Sequence, residues 1–395
     1  MVSGTPSTRC AKSSIWKSSG NQARLPGRPG KKRERESVTA SSKWTGRRVF
    51  LTGHTGFKGG WLALWLTRLG ATVRGYALDP YTNPSLLEAA RIPSCVEDVR
   101  GDIRNGEQLE KAITEFQPEV VFHLAAQPLV RASYVDPIGT YETNVIGTAR
   151  LLDAVRRTPS VRAVVSVTTD KCYENKEWLW SYRENDPLGG YDPYSSSKAC
   201  AELVSAAYRQ SYFPIEKWNE HHVAIATARA GNVIGGGDWS DDRLIPDLVR
   251  GFLKGEPVLI RRPHAVRPWQ HVMEPLAGYI RLAEHLLQPD ATRYATAYNF
   301  GPSDDDARPV SWIADHLAKN WSNGTRWVLD KDAGVHEAGY LKLDSSRARA
   351  ELGWRPHLHL ADALDWTLDW FRAHAAGEDM QRYTLQQIEA YEALQ

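Results

Sequence analysis

Val49-Phe50-Leu51-Thr52-Gly53-His54-Thr55-Gly56-Phe57-Lys58-Gly59 decides the fold. Val49 to Thr52 form a short run suited to a buried strand, three glycines spaced three apart make a turn, and Trp61 to Leu69 carry apolar residues at helical spacing. Gly70 closes that helix. A turn without side chains lets backbone N–H groups and the positive helix end approach a pyrophosphate. A nicotinamide dinucleotide is therefore expected at Gly53, Gly56, Phe57 and Gly59.

Outward from this turn, strands and helices alternate. Ala71 to Leu78 reads as a second strand ending in Asp79, and 107–116 as an amphipathic helix that stops before Pro118. Glu119 to Leu124 and Val161 to Val167 are apolar runs of the kind found in sheets covered on both faces. Long helices are expected over 138–157 and 194–210, with another strand at Val223 to Thr227. This alternation predicts a doubly wound α/β fold with a parallel sheet and right-handed crossovers.

After about residue 229 the rhythm breaks. Gly231 to Gly237 is glycine-rich, helices are expected near 243–254 and 274–287, and short strands near 257–261 and 296–300. The division expected is a leader over 1–43, an NAD-binding domain over 44–228, and a smaller α/β substrate domain over 229–395 that returns some chain to the main sheet. Asp79, at the end of the second strand, is placed to accept hydrogen bonds from the adenosine ribose and to repel a 2′-phosphate, which favours NAD over NADP. Asp102 and Ile103 follow the next short apolar stretch and are expected beside the adenine.

Charge excludes a nucleic-acid reading. Of 49 basic and 47 acidic residues, ten and two fall within 1–43, leaving 39 and 45, a net of −6, for the rest. The leader, rich in Ser, Arg, Gly and Pro, is expected to be disordered and lacks the apolar core of a secretory signal. No apolar run reaches the length of a membrane span. Four scattered cysteines read as free thiols in a reducing compartment, so a cytoplasmic location is expected. Twelve histidines form no ligand-like cluster, and no metal is expected.

Thr168 to Lys198 holds the reactive groups. A polar tip, Thr169-Asp170-Lys171, follows an apolar strand, and Tyr194 and Lys198 stand one helical turn apart. A phenol with a pKa near 10 is a poor base at neutral pH, and a nearby ammonium together with a positive nicotinamide ring would lower it.

Gly53-x-x-Gly-x-x-Gly59, His123-Leu-Ala-Ala126, Asn144-Val-Ile-Gly-Thr148 and Tyr194-x-x-x-Lys198 together resemble the extended short-chain dehydrogenase/reductase superfamily over roughly 46–375. Within it, four strings resemble the CDP-glucose 4,6-dehydratase family: Thr-Asp-Lys-Cys-Tyr-Glu-Asn (169–175), Gly-Gly-Tyr-Asp-Pro-Tyr (189–194), Ala-Gly-Asn-Val-Ile-Gly-Gly-Gly-Asp-Trp (230–239) and Arg-Pro-Trp-Gln-His-Val (267–272). The resemblance implies a redox-neutral elimination on CDP-glucose: oxidation at C4, loss of water across C5 and C6, and hydride return to C6. NAD would be regenerated in each turnover and retained.

In that scheme Tyr194 takes the 4-OH proton, Thr169 hydrogen-bonds the 4-oxygen, and Asp170, kept protonated by burial, supplies the acid for C6–O cleavage. Related dehydratases carry Glu after this Asp as the C5 base. Lys171 either does that work with a depressed pKa or stabilises the enolate while another group moves the proton. Ala125 joins Tyr194 and Lys198 against the cofactor. Asn232 is expected at the hexose or phosphate, Arg267 at the diphosphate, and Trp269 and Tyr340 along the nucleotide. The superfamily pattern implies a homodimer or larger homo-oligomer, joined through the helices at 138–157 and 194–210. Two rival readings are a 4-epimerase, which needs no acid at C6, and a silent NAD-binding interaction protein.

Overall fold

The sheet is built as the alternation predicts. A computed structural model describes residues 43–321, 324–330 and 339–395, and nearly all of the expected leader lies outside them. The strands are β1 (Arg48–Thr52), β2 (Thr72–Ala77), β3 (Glu97–Arg100), β4 (Val120–His123), β5 (Ala163–Val167), β6 (Ala224–Ala230) and β7 (Ala297–Phe300). They lie in the order β7-β6-β5-β4-β1-β2-β3, every pair parallel. The chain reverses direction of growth between β1 and β4, and ligands of such sheets bind beyond the carboxyl ends at that point.

Register brings those ends to one edge. Thr52 pairs with His123, His123 with Ser166, and Ser166 with Thr227. The segments after β1, β4, β5 and β6 therefore all emerge at one mouth. β4, β5 and β6 are buried along their whole length, which explains their mostly apolar sequences.

Helices cover both faces. α1 (Phe57–Arg68), α6 (Met273–Leu286) and α7 (Leu360–Ala375) close one apolar cluster with Trp61, Leu276 and Trp370 at its centre. α2 (Gly106–Phe116) and α3 (Gly147–Arg156) close the other, with Ile113, Leu151 and Val155. Full burial of a side chain such as Leu151 is worth about 1.5–3 kcal/mol.

The helix expected over 138–157 runs from Pro137 to Arg156, with a π-helical turn at Glu142–Ile146. That turn carries Asn144, whose Oδ1 accepts from Gln127 N at 2.8 Å and whose Nδ2 donates to Ser197 Oγ at 2.8 Å. It ties the loop after β4 to α4 (Pro193–Ser211), the helix bearing Tyr194 and Lys198. α5 (Leu244–Lys254) stands beyond the mouth of the sheet. β7 comes from the chain after residue 229 and lies beside β6 in the main sheet. Among the described residues no helix is long and apolar enough to cross a membrane.

Candidate active site

Glycine makes the first wall of the site. Gly53 has φ +79°, a conformation that residues with a Cβ rarely adopt, and a Cβ there would stand 2.7 Å from Ala125 N. A Cβ on Gly59 would fall 2.1 Å from Gly53 O. The turn is thus pressed against the end of β4 and the start of α1, leaving a cradle open only where backbone faces the cleft. That shape suits a dinucleotide pyrophosphate at a helix N-terminus. His54, inside the motif, is turned away from the cleft; its Nε2 lies 2.9 Å from Asp98 Oδ1.

The helix start that positions the reactive pair is equally local. Asp192 caps α4, its Oδ1 accepting from Ser195 N at 2.9 Å, and Pro193 occupies the first helical position. Tyr194 therefore stands in the first turn and Lys198 one turn further, both buried. Lys198 Nζ donates to Val167 O at 3.2 Å, fixing it to the end of β5. Burial pushes the Tyr194 phenol up to about 12 and the Lys198 ammonium down to about 8. A hydrogen bond involving Thr169 is the next influence on the phenol and pulls it down. In the protein alone burial is the largest influence on the phenol and outweighs the groups that lower it.

The tip after β5 is held from below. Glu202, two turns beyond Tyr194, accepts from Arg229 Nη2 at 2.9 Å and Thr227 Oγ1 at 2.6 Å, and also from Thr168 Oγ1. Arg229 Nη1 donates to Tyr173 Oη at 2.8 Å, and Tyr173 Oη donates to Asn299 Oδ1 at 2.7 Å. Both ends of the Thr168–Tyr173 turn are thereby pinned to buried partners. Asp170 is 2% exposed; its Oδ1 accepts from Thr169 Oγ1 at 3.0 Å, and its Oδ2 is buried without a hydrogen-bond partner. Burial raises its pKa, with the Lys171 charge opposing. A carboxyl in this setting holds its proton more strongly than one in water.

A cleft of about 540 Å³ gathers these groups. Gly53, Gly56, Phe57, Gly59, Asp79, Asp102, Ile103 and Ala125 line it toward the cofactor turn, and Thr169, Asp170, Lys171, Tyr194 and Lys198 toward the β5 tip. Asn232, Arg267 and Trp269 line it from the later part of the chain. Every residue read from sequence as lining the site is there except Tyr340, which is not among the lining residues. Tyr340 Oη instead donates to Leu179 O at 3.4 Å.

Details differ from the simple expectation at several places. Asp79 is 88% exposed at its side chain and lies 3.6 Å from Arg100 Nε. Asp102 is held by Arg104, whose Nη2 and Nε donate at 2.7 and 2.9 Å, and this pairing lowers its pKa. Arg267 is buried, with Nη1 donating to Val266 O at 3.1 Å, and Trp269 Nε1 is buried without a partner. Sequence reasoning missed Lys58, Tyr81, Asp238 and Arg243, all of which line the cleft. Arg243 Nη1 pairs with Asp238 Oδ2 at 2.8 Å, and Tyr81 Oη is 2.5 Å from Ser240 Oγ. Lys58 was in plain view inside the glycine motif; Asp238 belongs to the Gly-Gly-Gly-Asp-Trp string.

A glycine cradle at the switch point of a parallel sheet, facing a buried Tyr/Lys pair, fits a nicotinamide-dependent enzyme, and comparison with known proteins agrees. The chain belongs to the NAD dependent epimerase/dehydratase family, which it matches over residues 49–301. It is 53% identical to CDP-glucose 4,6-dehydratase of Salmonella typhimurium over 88% of this chain and 97% of that one. It is 30% identical to dTDP-glucose 4,6-dehydratase of Streptomyces griseus over 82% and 94%. Among solved structures, UDP-glucose 4-epimerase of Thermotoga maritima with UDP-glucose superposes with a TM-score of 0.71 at 20% identity, covering 83% of this chain and 99% of that one. dTDP-glucose 4,6-dehydratase of Bacillus anthracis in complex with NAD gives 0.68 at 23% identity, covering 85% and 99%. These two likenesses speak for the fold.

Proposed function

We propose that this protein is an NAD-dependent lyase converting CDP-glucose to CDP-4-dehydro-6-deoxyglucose and water. The observation that carries the reading is Asp170: a buried carboxyl of raised pKa shares one cleft with the Tyr194/Lys198 pair, on a chain 53% identical to a CDP-glucose 4,6-dehydratase. Oxidation at C4 alone has no use for an acid there. Elimination of hydroxide from C6 does, because hydroxide is a poor leaving group.

NAD, when bound, would supply the hydride chemistry between C4 and C6. The cradle of Gly53, Gly56 and Gly59 would hold its pyrophosphate, and Phe57, Ala125, Asp79, Asp102 and Ile103 line the same cleft and would bind the rest of it. Tyr194 Oη removes the 4-OH proton and Thr169 Oγ1 steadies the 4-oxygen. The resulting ketone acidifies C5–H. Asp170 then protonates the departing C6 hydroxyl, and the proton held by Tyr194 restores Asp170 for the next turnover. Arg267 faces the diphosphate, Asn232 the hexose or phosphate, and Trp269 the nucleotide.

A cytoplasmic homodimer goes with this reading. Val135, Ile138, Ile146 and Leu203, apolar and exposed on or beside the helices at 137–156 and 193–211, support that contact. Light scattering on the purified protein gives twice the chain mass if it is right.

The deciding experiment is a panel of CDP-, UDP-, GDP- and dTDP-glucose, read by the alkaline absorbance of 4-keto-6-deoxy products. CDP-glucose should be consumed fastest. An isomeric hexose with no keto sugar overturns the dehydratase in favour of a 4-epimerase, and no product with any of the four overturns the enzyme reading.

A further inference from the structure

The C5 proton needs a base, and Lys171 is awkwardly placed to be one. It follows Asp170 directly in the chain and interacts electrostatically with that acid. A second lysine lines the same cleft. Lys58 is the second residue of α1, at the mouth of β1, and the β5 tip lies two strands away, about 10 Å. The charged groups that act on it are Lys198 from α4, Arg243 at the start of α5, Asp170 from the β5 tip, and Asp238. Its ammonium therefore faces the reacting groups as well as the cofactor turn. Among the described residues it makes no hydrogen bond or ion pair, unlike Lys198, which is held by Val167 O.

We propose that Lys58 Nζ, resting on the dehydratase reading above, is the base that takes the proton from C5 and later returns it. The C5–H electrons flow toward the 4-ketone to form an enolate while the neutral amine becomes an ammonium. Collapse of the enolate breaks C6–O, and the hydroxyl leaves as water with the proton from Asp170. When hydride adds at C6, the ammonium of Lys58 gives its proton back to C5 and is neutral again. Lys171, which lines the cleft from the same β5 tip, is left to stabilise the enolate. Burial, followed by the like charges of Lys198 and Arg243, brings Lys58 down to about 7, so much of it is an amine at neutral pH. A lysine so tuned suits proton transfer at pH 7.

Wild type and K58M, both loaded with NAD, test this in D2O with CDP-glucose. Two signals are read, the absorbance of reduced nicotinamide and deuterium at C5. K58M is expected to reduce its nicotinamide but to lose about 10²-fold or more of C5 exchange, the scale of general base catalysis. K58R, which keeps the charge and cannot act as a base, is expected to behave like K58M, and small primary amines should partly restore exchange in K58A. In the protein alone, the pH dependence of Lys58 reductive methylation, read by mass spectrometry, should have its midpoint near 7. C5 exchange at the wild-type rate in K58M or K58R, or a methylation midpoint above 10, overturns the assignment. Wild type that forms no reduced nicotinamide with CDP-glucose overturns the dehydratase reading itself, a different signal from loss at Lys58.

Discussion

The two walls of the cleft are made by opposite means. The wall at Gly53–Gly59 works because side chains are missing: backbone atoms approach so closely that a methyl group would collide with a carbonyl oxygen at 2.1 Å. The wall at Thr168–Lys198 works because side chains are present and buried, and burial sets their proton affinities. A steric site fails when anything is added. An electrostatic site fails when a single group is removed, with the shape left intact.

Gly59→Ala presses hardest on this contrast. The forced contact is expected to cost about 3 kcal/mol or more and to yield protein without retained NAD, measured by absorbance of cofactor released on denaturation. A variant that keeps NAD and a wild-type melting point would show that the turn tolerates mass. Tyr194→Phe, on the opposite wall, should leave stability near wild type and lower turnover by about 10³-fold, because the base at the 4-OH is gone. Unchanged turnover would remove Tyr194 from the reaction.

Asp79→Asn sharpens the same comparison at the far end of the cofactor. Loss of one charge near the ribose should narrow the preference for NAD over NADP by about tenfold, read as the ratio of binding constants. The effect is modest because this carboxylate is 88% exposed and shares Arg100.

The smallest effect is on stability. Asp170 has a raised pKa in the fold, so between its unfolded value of 3.8 and its folded value the native protein holds a proton that the unfolded chain has lost. Stability contributed by that proton is present at low pH and falls away as pH rises through this window. Asp170→Asn removes the dependence, and its melting temperature should gain on wild type, at about 2–4 °C per kcal/mol, as pH rises from 3.8 through the raised folded value. Lys198 has the opposite slope. Lowered to about 8, it is neutral in the fold while the unfolded chain stays protonated up to its ordinary 10.5, so stability rises with pH between those values.

The steric wall was legible in sequence and the electrostatic wall only partly so. Three glycines between a strand and a helix announce their purpose by spacing, and the apolar runs of β4 and β5 announce a sheet covered on both faces. Thr169, Asp170, Tyr194 and Lys198 could be named from their strings. Their proton affinities could not, since these depend on what surrounds each group. The expectation that Lys198 lowers the Tyr194 phenol left out burial, which raises the phenol more than its neighbours lower it. Lys58 was not legible for a related reason: glycine spacing speaks for the backbone, and that a side chain within it lines the same cleft as the β5 tip follows only from the assembled sheet. The Glu202–Arg229–Tyr173 network was likewise hidden, since its members lie far apart in sequence and meet beneath the β5 tip.

The central claim is that Asp170 turns oxidation at C4 into loss of water, and one measurement tests it directly: a single turnover of NAD-loaded Asp170→Asn with CDP-glucose, following reduced nicotinamide and 4-keto-6-deoxy product together. The account predicts that reduced nicotinamide forms and persists while product formation falls by about 10²-fold or more. Product released at the wild-type rate, with the reduced form passing as quickly as before, would contradict it.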